Sequence, residues 1–177
     1  MTLVSKRIIE KRGWMYEDVK DKKIKSVAEK CDGSIISFVK FQNGKVRAKS
    51  KMSFISEQAQ GAQKIYDNDK RVRSLISTML SDGINPVFEF VGMSNQIVLE
   101  YGEDELILLQ GRKNDGLYVS YELLKSYADI WGLKTAKVFD MSILENVASN
   151  YTEAEARTKI KDRKFQGLQE MVDFLSK

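Results

Sequence analysis

An α+β fold with a mostly antiparallel sheet follows from three features of the 177-residue chain. Short apolar runs come in two groups, each followed by helical periodicity, and this order argues against a doubly wound parallel sheet. Turn signals join neighbouring runs: Asn43-Gly44, a two-residue hairpin signal, separates SIISFVKF from KVRAKS, and Asn114-Asp115-Gly116 forms a loop. Pro86 is the single proline, and no low-complexity tract or internal repeat divides the sequence, so one domain is expected over 1–177.

From the N-terminus, residues 24–29 and 34–41 are apolar runs flanking Asp32-Gly33, a step that favours a hairpin bend. Residues 56–81 are rich in helix formers. Ala59, Ala62, Ile65 and Tyr66 make one apolar stripe, Val72, Leu75, Ile76 and Leu80 another, and Asp82-Gly83 ends the stretch. Three strand-like runs follow at 86–91, 96–101 and 105–110. Ser120 predicts the cap of a helix running through Ile130-Trp131, with Gly132 as its stop. Residues 134–139 read as one more strand and 141–147 as helix. Thr152-Glu153-Ala154-Glu155 has the form of a capping box, opening a basic helix toward the C-terminus with Gly167 as a candidate break.

Composition narrows the chemistry. Hydrophobic residues make up 42% and charged residues 31%, ordinary for a soluble globular chain. No apolar run approaches the roughly 18 residues of a membrane span. The opening MTLVSKRIIEKRG carries charges where a signal peptide needs an apolar stretch, so a cytoplasmic protein with no membrane partner is expected. Cys31 is the one cysteine, which excludes an intramolecular disulfide and a multi-thiolate zinc site. Histidine is absent, which removes Ser-His and Cys-His nucleophile pairs and His-ligated metals. Catalysis would rest on Lys, Arg, Asp, Glu, Ser or Tyr. The net charge of +4 suits nucleotide or nucleic-acid partners without demanding them.

Taken alone, Lys30-Cys31-Asp32-Gly33 reads as a hairpin bend with Lys30 exposed at a strand end. Glu89, inside Val87-Phe88-Glu89-Phe90-Val91, poses a sharper question. In a strand its side chain lies on the face opposite Phe88 and Phe90. There it is either in solvent or held by a partner, because an unpaired buried carboxylate is costly.

KCDGS, KSKMSFISEQA, FEFVGMSNQIVLEY and LILLQGRKNDGLYVSYELL, in this order, resemble the adenylyltransferase domain of the phage RNA ligases typified by the T-even phage tRNA-repair enzyme. The resemblance covers about 23–138, with the helical segments at about 141–176 beyond it. It implies the nucleotidyltransferase fold of ligase adenylation domains, incomplete at both ends. It also implies ATP and Mg2+: a motif lysine attacks the α-phosphorus of ATP, the resulting lysyl-AMP passes AMP to an RNA 5′-phosphate, and an RNA 3′-hydroxyl displaces AMP.

Matched residue by residue, Lys30 is the nucleophile, and Asp32 and Gly33 complete its motif, with Gly33 allowing close backbone approach to the nucleotide. Glu29 sits where the family's backbone meets the adenine. Lys49, Ser50 and Lys51 match a segment that supports ligation, with Lys51 as the phosphate contact. Glu89 matches the glutamate that hydrogen-bonds the ribose. Lys6 lies where the family has a lysine in a Lys-Phe-Phe-Asn segment, although Arg7-Ile8-Ile9 follows it here. No protein ligand for a metal is assigned, and the adenine-stacking residue expected after FEFV is not assigned either.

These roles are chemically coherent. A protonated lysine is a poor nucleophile, so such a site must favour the neutral amine through nearby cations, a metal or burial. Lys49 and Lys51, returned toward Lys30 by the hairpin, would supply positive charge and offset the charge developing on the α-phosphate and its leaving group.

The chain departs from the family pattern in several places. Met52 stands where a glycine is usual, and Gln96 where a basic residue is common. The family's Glu-Gly and Lys-x-Lys motifs find no counterpart before Lys177, and Arg12-Gly13 lies too near Lys30 to be the upstream Arg-Gly segment. Lys159-Ile160-Lys161 falls in a capped helix, so the 157–164 run reads as a solvated face, with an RNA-contacting surface as the minor alternative. Tyr101, Tyr118 and Tyr121 read as packing side chains before base-stacking ones.

The expectation is a piece of an ATP-dependent RNA ligase for RNA repair in a phage-infected or host bacterial cell. It would be weak or inactive alone, with a second chain supplying the missing motifs as one arrangement, and with an open sheet edge. The alternative is a non-catalytic nucleotide- or RNA-binding relic. A generic α+β domain with chance matches predicts instead that Lys30, Lys51 and Glu89 scatter over the fold.

Overall fold

The computed structural model describes residues 26–95, 102–139 and 168–175, with single positions at 142, 150, 152, 155, 158, 159 and 161. Among the described residues the strands are β1 (Val27–Ala28), β2 (Ser34–Lys40), β3 (Val46–Ser50), β4 (Ile84–Val91), β5 (Glu105–Lys113) and β6 (Val138–Phe139). The helices are α1 (Glu57–Asn68), α2 (Lys70–Ser81), α3 (Tyr121–Trp131) and α4 (Leu168–Leu175). Four strands form one antiparallel sheet in the order β3-β2-β4-β5, and β1 pairs antiparallel with β6 in a second. The predicted α+β fold with a mostly antiparallel sheet is the one adopted.

Alternation along the strands places one set of side chains under the helices. Ile36, Phe38, Ala48, Phe88, Phe90, Leu106 and Leu108 pack against Ala62, Val72, Leu75, Ile76 and Met79 of α1 and α2 and Leu124 and Ala128 of α3. Each such large side chain stabilises the fold by roughly 1.5–3 kcal/mol relative to leaving it in water. Phe38 meets Phe88 edge-on at 5.7 Å. On the opposite face Cys31, Val91 and Ile107 form a smaller cluster, with Leu109 and Ala136 against it.

Four sequence expectations change. The Asp32-Gly33 step is not a hairpin bend: β1 pairs with β6 and β2 with β3 and β4, so residues 29–33 cross between sheets. The buried Cys31 and the Glu29 N–H, which donates to the Lys137 carbonyl at 2.7 Å, hold that crossing. The Asn43-Gly44 hairpin has a three-residue loop, because the Phe41 N–H reaches the Lys45 carbonyl at 2.8 Å and Gly44 takes φ +80° at its end. Residues 56–81 divide into two helices at Asp69, whose side chain caps α2 and whose N–H closes α1 on the Ile65 carbonyl. Tyr118 is exposed rather than packed, with the Arg112 guanidinium 5.9 Å from its ring centroid.

Helix α3 begins at the Ser120 cap and ends on Gly132 in the left-handed region, as its sequence predicts. Thr152 and Glu155 make the reciprocal bonds of a capping box. Each edge of the four-stranded sheet has at least one outward donor covered among the described residues. The outward Ala48 N–H on β3 donates to Gln63 Oε1 of α1 at 2.8 Å, and Leu108 on β5 donates to the Lys134 carbonyl at 2.8 Å. The 96–101 run with Gln96 and Tyr101, Lys6, and the 141–147 run apart from the helical Ser142 lie outside the described residues. Among the described residues no helix is long and apolar enough to cross a membrane.

Candidate active site

The crossing between β1 and β2 owes its shape to three neighbouring residues. Cys31 is buried against Val91 and Ile107 and pins the segment to the sheet. Burial, followed by the nearby charges of Glu29 and Glu89, pushes its thiol up, which keeps it protonated and unreactive near neutral pH. Gly33 comes next, and only a residue without a side chain fits there. A Cβ would collide with the Phe90 carbonyl oxygen and stand 2.9 Å from Val91 Cγ1. Ser34 then opens β2, paired with Phe90.

Glu89 supplies the other half of the arrangement. Its side chain leaves β4 on the face opposite Phe88 and Phe90, and it is buried at 7% exposure. One carboxylate oxygen accepts the Gly33 N–H at 3.0 Å. Burial raises the Glu89 pKa above its ordinary value, while that hydrogen bond and the charge of Lys30 pull it back and Asp32 pushes it further up. The carboxylate is therefore the partnered alternative of the two left open by the sequence, and Lys30 and Asp32 both lie within its electrostatic reach. Lys30 itself is exposed, and Asp32 and Glu29 are half-buried.

The hairpin positions the remaining basic residues. Ile36 pairs with Ser50, so Lys51 follows directly on the last paired residue of β3, near the start of β2. Lys51 is exposed. Lys49 is held locally: its Nζ donates to the carbonyls of Ser50 at 3.2 Å and Lys51 at 2.9 Å and lies 5.9 Å from the Phe54 ring centroid. The Ser50 hydroxyl donates to the Ser53 carbonyl at 3.1 Å and accepts from the Ser56 hydroxyl at 3.0 Å, tying the loop to the α1 cap. Met52 is 85% exposed.

The structure thus gathers Lys30, Asp32, Gly33 and Glu89 at one crossing, brings Lys51 to the neighbouring strand end, and occupies Lys49 and Ser50 within their own loop. Sequence reasoning missed Asn95, whose buried amide joins this crossing. The one signal for it was a polar residue soon after the buried FEFV strand. Among the described residues no three carboxylate, thiol or imidazole groups converge as a metal site.

A family model described as RNA ligase matches residues 8–168. The chain belongs to this RNA ligase family. A Thermovibrio ammonificans protein named "Putative RNA ligase" is 27% identical to this chain over 86 residues, which are 49% of the chain and 22% of that protein. An archaeal ATP-dependent RNA ligase superposes with a TM-score of 0.53 at 16% identity, covering 70% of this chain and 35% of its own. A Naegleria gruberi RNA ligase variant solved with AMP and Mn superposes at 0.50 and 13% identity, over 65% of this chain and 36% of its own. At those identities the structures share a fold, the nucleotidyltransferase fold of RNA ligases. The chain spans about a fifth of the Thermovibrio relative and about a third of the two structures.

Proposed function

We propose that this chain carries the nucleotide-attacking part of an ATP-dependent RNA ligase, with Lys30 as its nucleophile. The observation that carries this reading is the Glu89–Gly33 hydrogen bond at 3.0 Å, which fixes a glycine bend with Lys30 exposed beside it. An exposed amine on a braced loop is what in-line attack on a bound phosphate requires.

In the proposed reaction the neutral Lys30 Nζ forms a bond to the α-phosphorus of ATP and gives up a proton to solvent. The bond from that phosphorus to the bridging oxygen breaks, and pyrophosphate leaves with its electron pair. An oxygen of the RNA 5′-phosphate then bonds to the same phosphorus, the P–N bond breaks, and Lys30 Nζ leaves with the electron pair and takes up a proton from solvent. Finally an RNA 3′-hydroxyl, losing its proton to solvent, bonds to the 5′-phosphorus, and the bond from that phosphorus to AMP breaks with AMP taking the electron pair. Glu89 holds Gly33 with one oxygen and meets the ribose with the other, while Glu29 and Asp32 flank the nucleotide. Lys51 approaches the phosphates, and Lys49 and Ser50 shape the loop that presents it. Lys6 is a further ATP contact in this reading. In this reading Mg2+ accompanies ATP as its counter-ion. Sealing draws in addition on the family's Glu-Gly and Lys-x-Lys motifs, presented by a partner segment. The setting we infer is RNA repair in the cytoplasm of a phage-infected or host bacterial cell.

The test is intact-mass analysis after incubation with ATP and magnesium, with and without a partner segment bearing those motifs. A gain of one AMP, absent in Lys30→Ala and mapped to Lys30 by peptide sequencing, is expected. No adduct at saturating ATP under either condition overturns the reading in favour of a nucleotide- or RNA-binding relic.

A further inference from the structure

The short turn Met93–Asn95 holds a buried amide to which the proposed chemistry gives no part. Asn95 is 8% exposed. Its Nδ2 donates to the Phe90 carbonyl at 2.7 Å, its Oδ1 accepts from the Ser34 hydroxyl at 3.2 Å, and its backbone N–H donates to the Gly92 carbonyl at 3.0 Å. The Phe90 carbonyl is the atom that a side chain on Gly33 would strike. Asn95 therefore fixes both the surface against which Gly33 rests and the residue that follows Gly33.

Asn95 is itself anchored through its neighbour. Asp104 accepts the Ser94 N–H at 3.0 Å and the Ser94 hydroxyl at 2.5 Å. Gly92, at φ +142°, passes so close to Asp104 that a Cβ would collide with it. A turn that merely reversed the chain would need only the Asn95 N–H to Gly92 bond. The side chain instead reaches across to a second strand, at the position next to the bend. Asn95 is the buried member of this chain, with Ser34 half-buried and Ser94 and Asp104 exposed, and its amide holds one geometry because any departure would leave it unsatisfied.

We infer that Asn95 is a positioning residue for adenylylation: the chain Asp104–Ser94–Asn95–Ser34 holds the Gly33 bend, and so Lys30, where Nζ meets the α-phosphorus. This inference rests on the reading of Lys30 as nucleophile. A group that acts by alignment lowers the maximal rate and leaves ground-state binding nearly unchanged.

The experiment measures the rate of lysyl-AMP formation against ATP concentration in the full chain, with the partner segment where the parent needs it. Asn95→Ala should lower the rate at saturating ATP by roughly 10- to 100-fold, the scale of small misplacements of reacting groups. The KM for ATP should stay within about twofold. Ser34→Ala should act in the same direction, Ser34→Thr should restore the rate, and the double variant should lose less than the two singles multiplied, as residues in one network do. A parent-like rate in Asn95→Ala, a loss confined to KM, or multiplicative losses would overturn the inference. If Asn95→Ala does not fold, the Ser34→Ala and Ser34→Thr pair decides. A second measurement separates this inference from the nucleophile reading. Absence of any adduct in the parent sinks the nucleophile reading, while hydrogen exchange still judges the brace. Asn95→Ala should exchange faster at 31–36 with α1–α3 unchanged; parent-like exchange at 31–36 overturns the brace.

Discussion

Gly33 and Glu89 lie 56 residues apart and are joined by a hydrogen bond of 3.0 Å from the glycine N–H to a buried carboxylate oxygen. The bond gives a buried, costly carboxyl group in the sheet a reason to be there. It satisfies a backbone donor at a crossing where neither sheet's ladder can reach, and it leaves Lys30 free to face solvent.

Replacing Glu89 should separate function from stability. Burial holds its pKa above the ordinary 4.5, so the fold favours the protonated form. The sign follows: this contribution is fully present below the unfolded value and is lost as pH rises through the folded one. Glu89→Gln keeps an acceptor for Gly33 and removes the charge. It should melt at or above the parent at neutral pH, the difference narrowing on acidification toward the ordinary carboxylate range. Lysyl-AMP formation should fall by roughly 10-fold or more, as when a preorganised polar contact is lost. Melting curves across pH and adduct rates check both halves.

Gly33→Ala should damage both properties. The new methyl meets the Phe90 carbonyl and Val91, backbone and a buried side chain that cannot give way cheaply. Overpacking of this kind costs about 1–3 kcal/mol. Urea denaturation should show that loss, and the adduct should be missing even at temperatures where the variant is folded, because Lys30 moves with the bend.

Much of this was legible in the residues, for local reasons. Ser120 and Gly132 delimit α3 because caps are decided by the few atoms around them. The Phe88/Glu89/Phe90 alternation fixed which face the carboxylate takes, since strand geometry leaves no choice. What stayed hidden was non-local. Asp32-Gly33 has the chemistry of a hairpin, yet β1 finds β6, with Val27 paired to Phe139, 112 residues on by their numbers, and not β2. The Asn95 brace needs Ser34, 61 residues away, to be recognised at all. The split of 56–81 was half visible: two stripes were apparent, but Asp69 looked like one more polar residue until its cap was seen.

Asp69 makes a control remote from the chemistry. Its carboxylate accepts the Arg71 N–H at 2.8 Å and pairs with the Arg71 guanidinium at 2.8 Å. The Arg71 side-chain bond is the main cause that holds its pKa below the usual 3.8. Its stabilisation is therefore present above that value and lost as pH falls through the depressed one. Asp69→Ala should cost about 1 kcal/mol at neutral pH, the usual worth of an N-cap. The gap to the parent should close on acidification, and adduct formation should stay at the parental rate.

Tyr127 tests the helix layer from the alkaline side. Its hydroxyl donates to Asp82 Oδ2 at 2.5 Å, tying α3 to the end of α2. That bond, aided by partial burial and the Asp82 charge, pushes the phenol from 10.0 up to about 12. A raised pKa stabilises the fold below the unfolded value and stops doing so as pH climbs through the folded one. Tyr127→Phe removes the donor and leaves Asp82 exposed to water, so the loss should be about 1 kcal/mol near neutral pH, or roughly 2–4 °C in Tm. Above pH 10 the parent should begin to lose this advantage, and by about 12 the two proteins should unfold at nearly the same urea concentration. A gap that persists undiminished at that pH would mean that the Tyr127 hydroxyl bond to Asp82 is not its source. In either case adduct formation at neutral pH should be unchanged, because Tyr127 packs among the helices while Lys30 and Glu89 belong to the other face of the sheet.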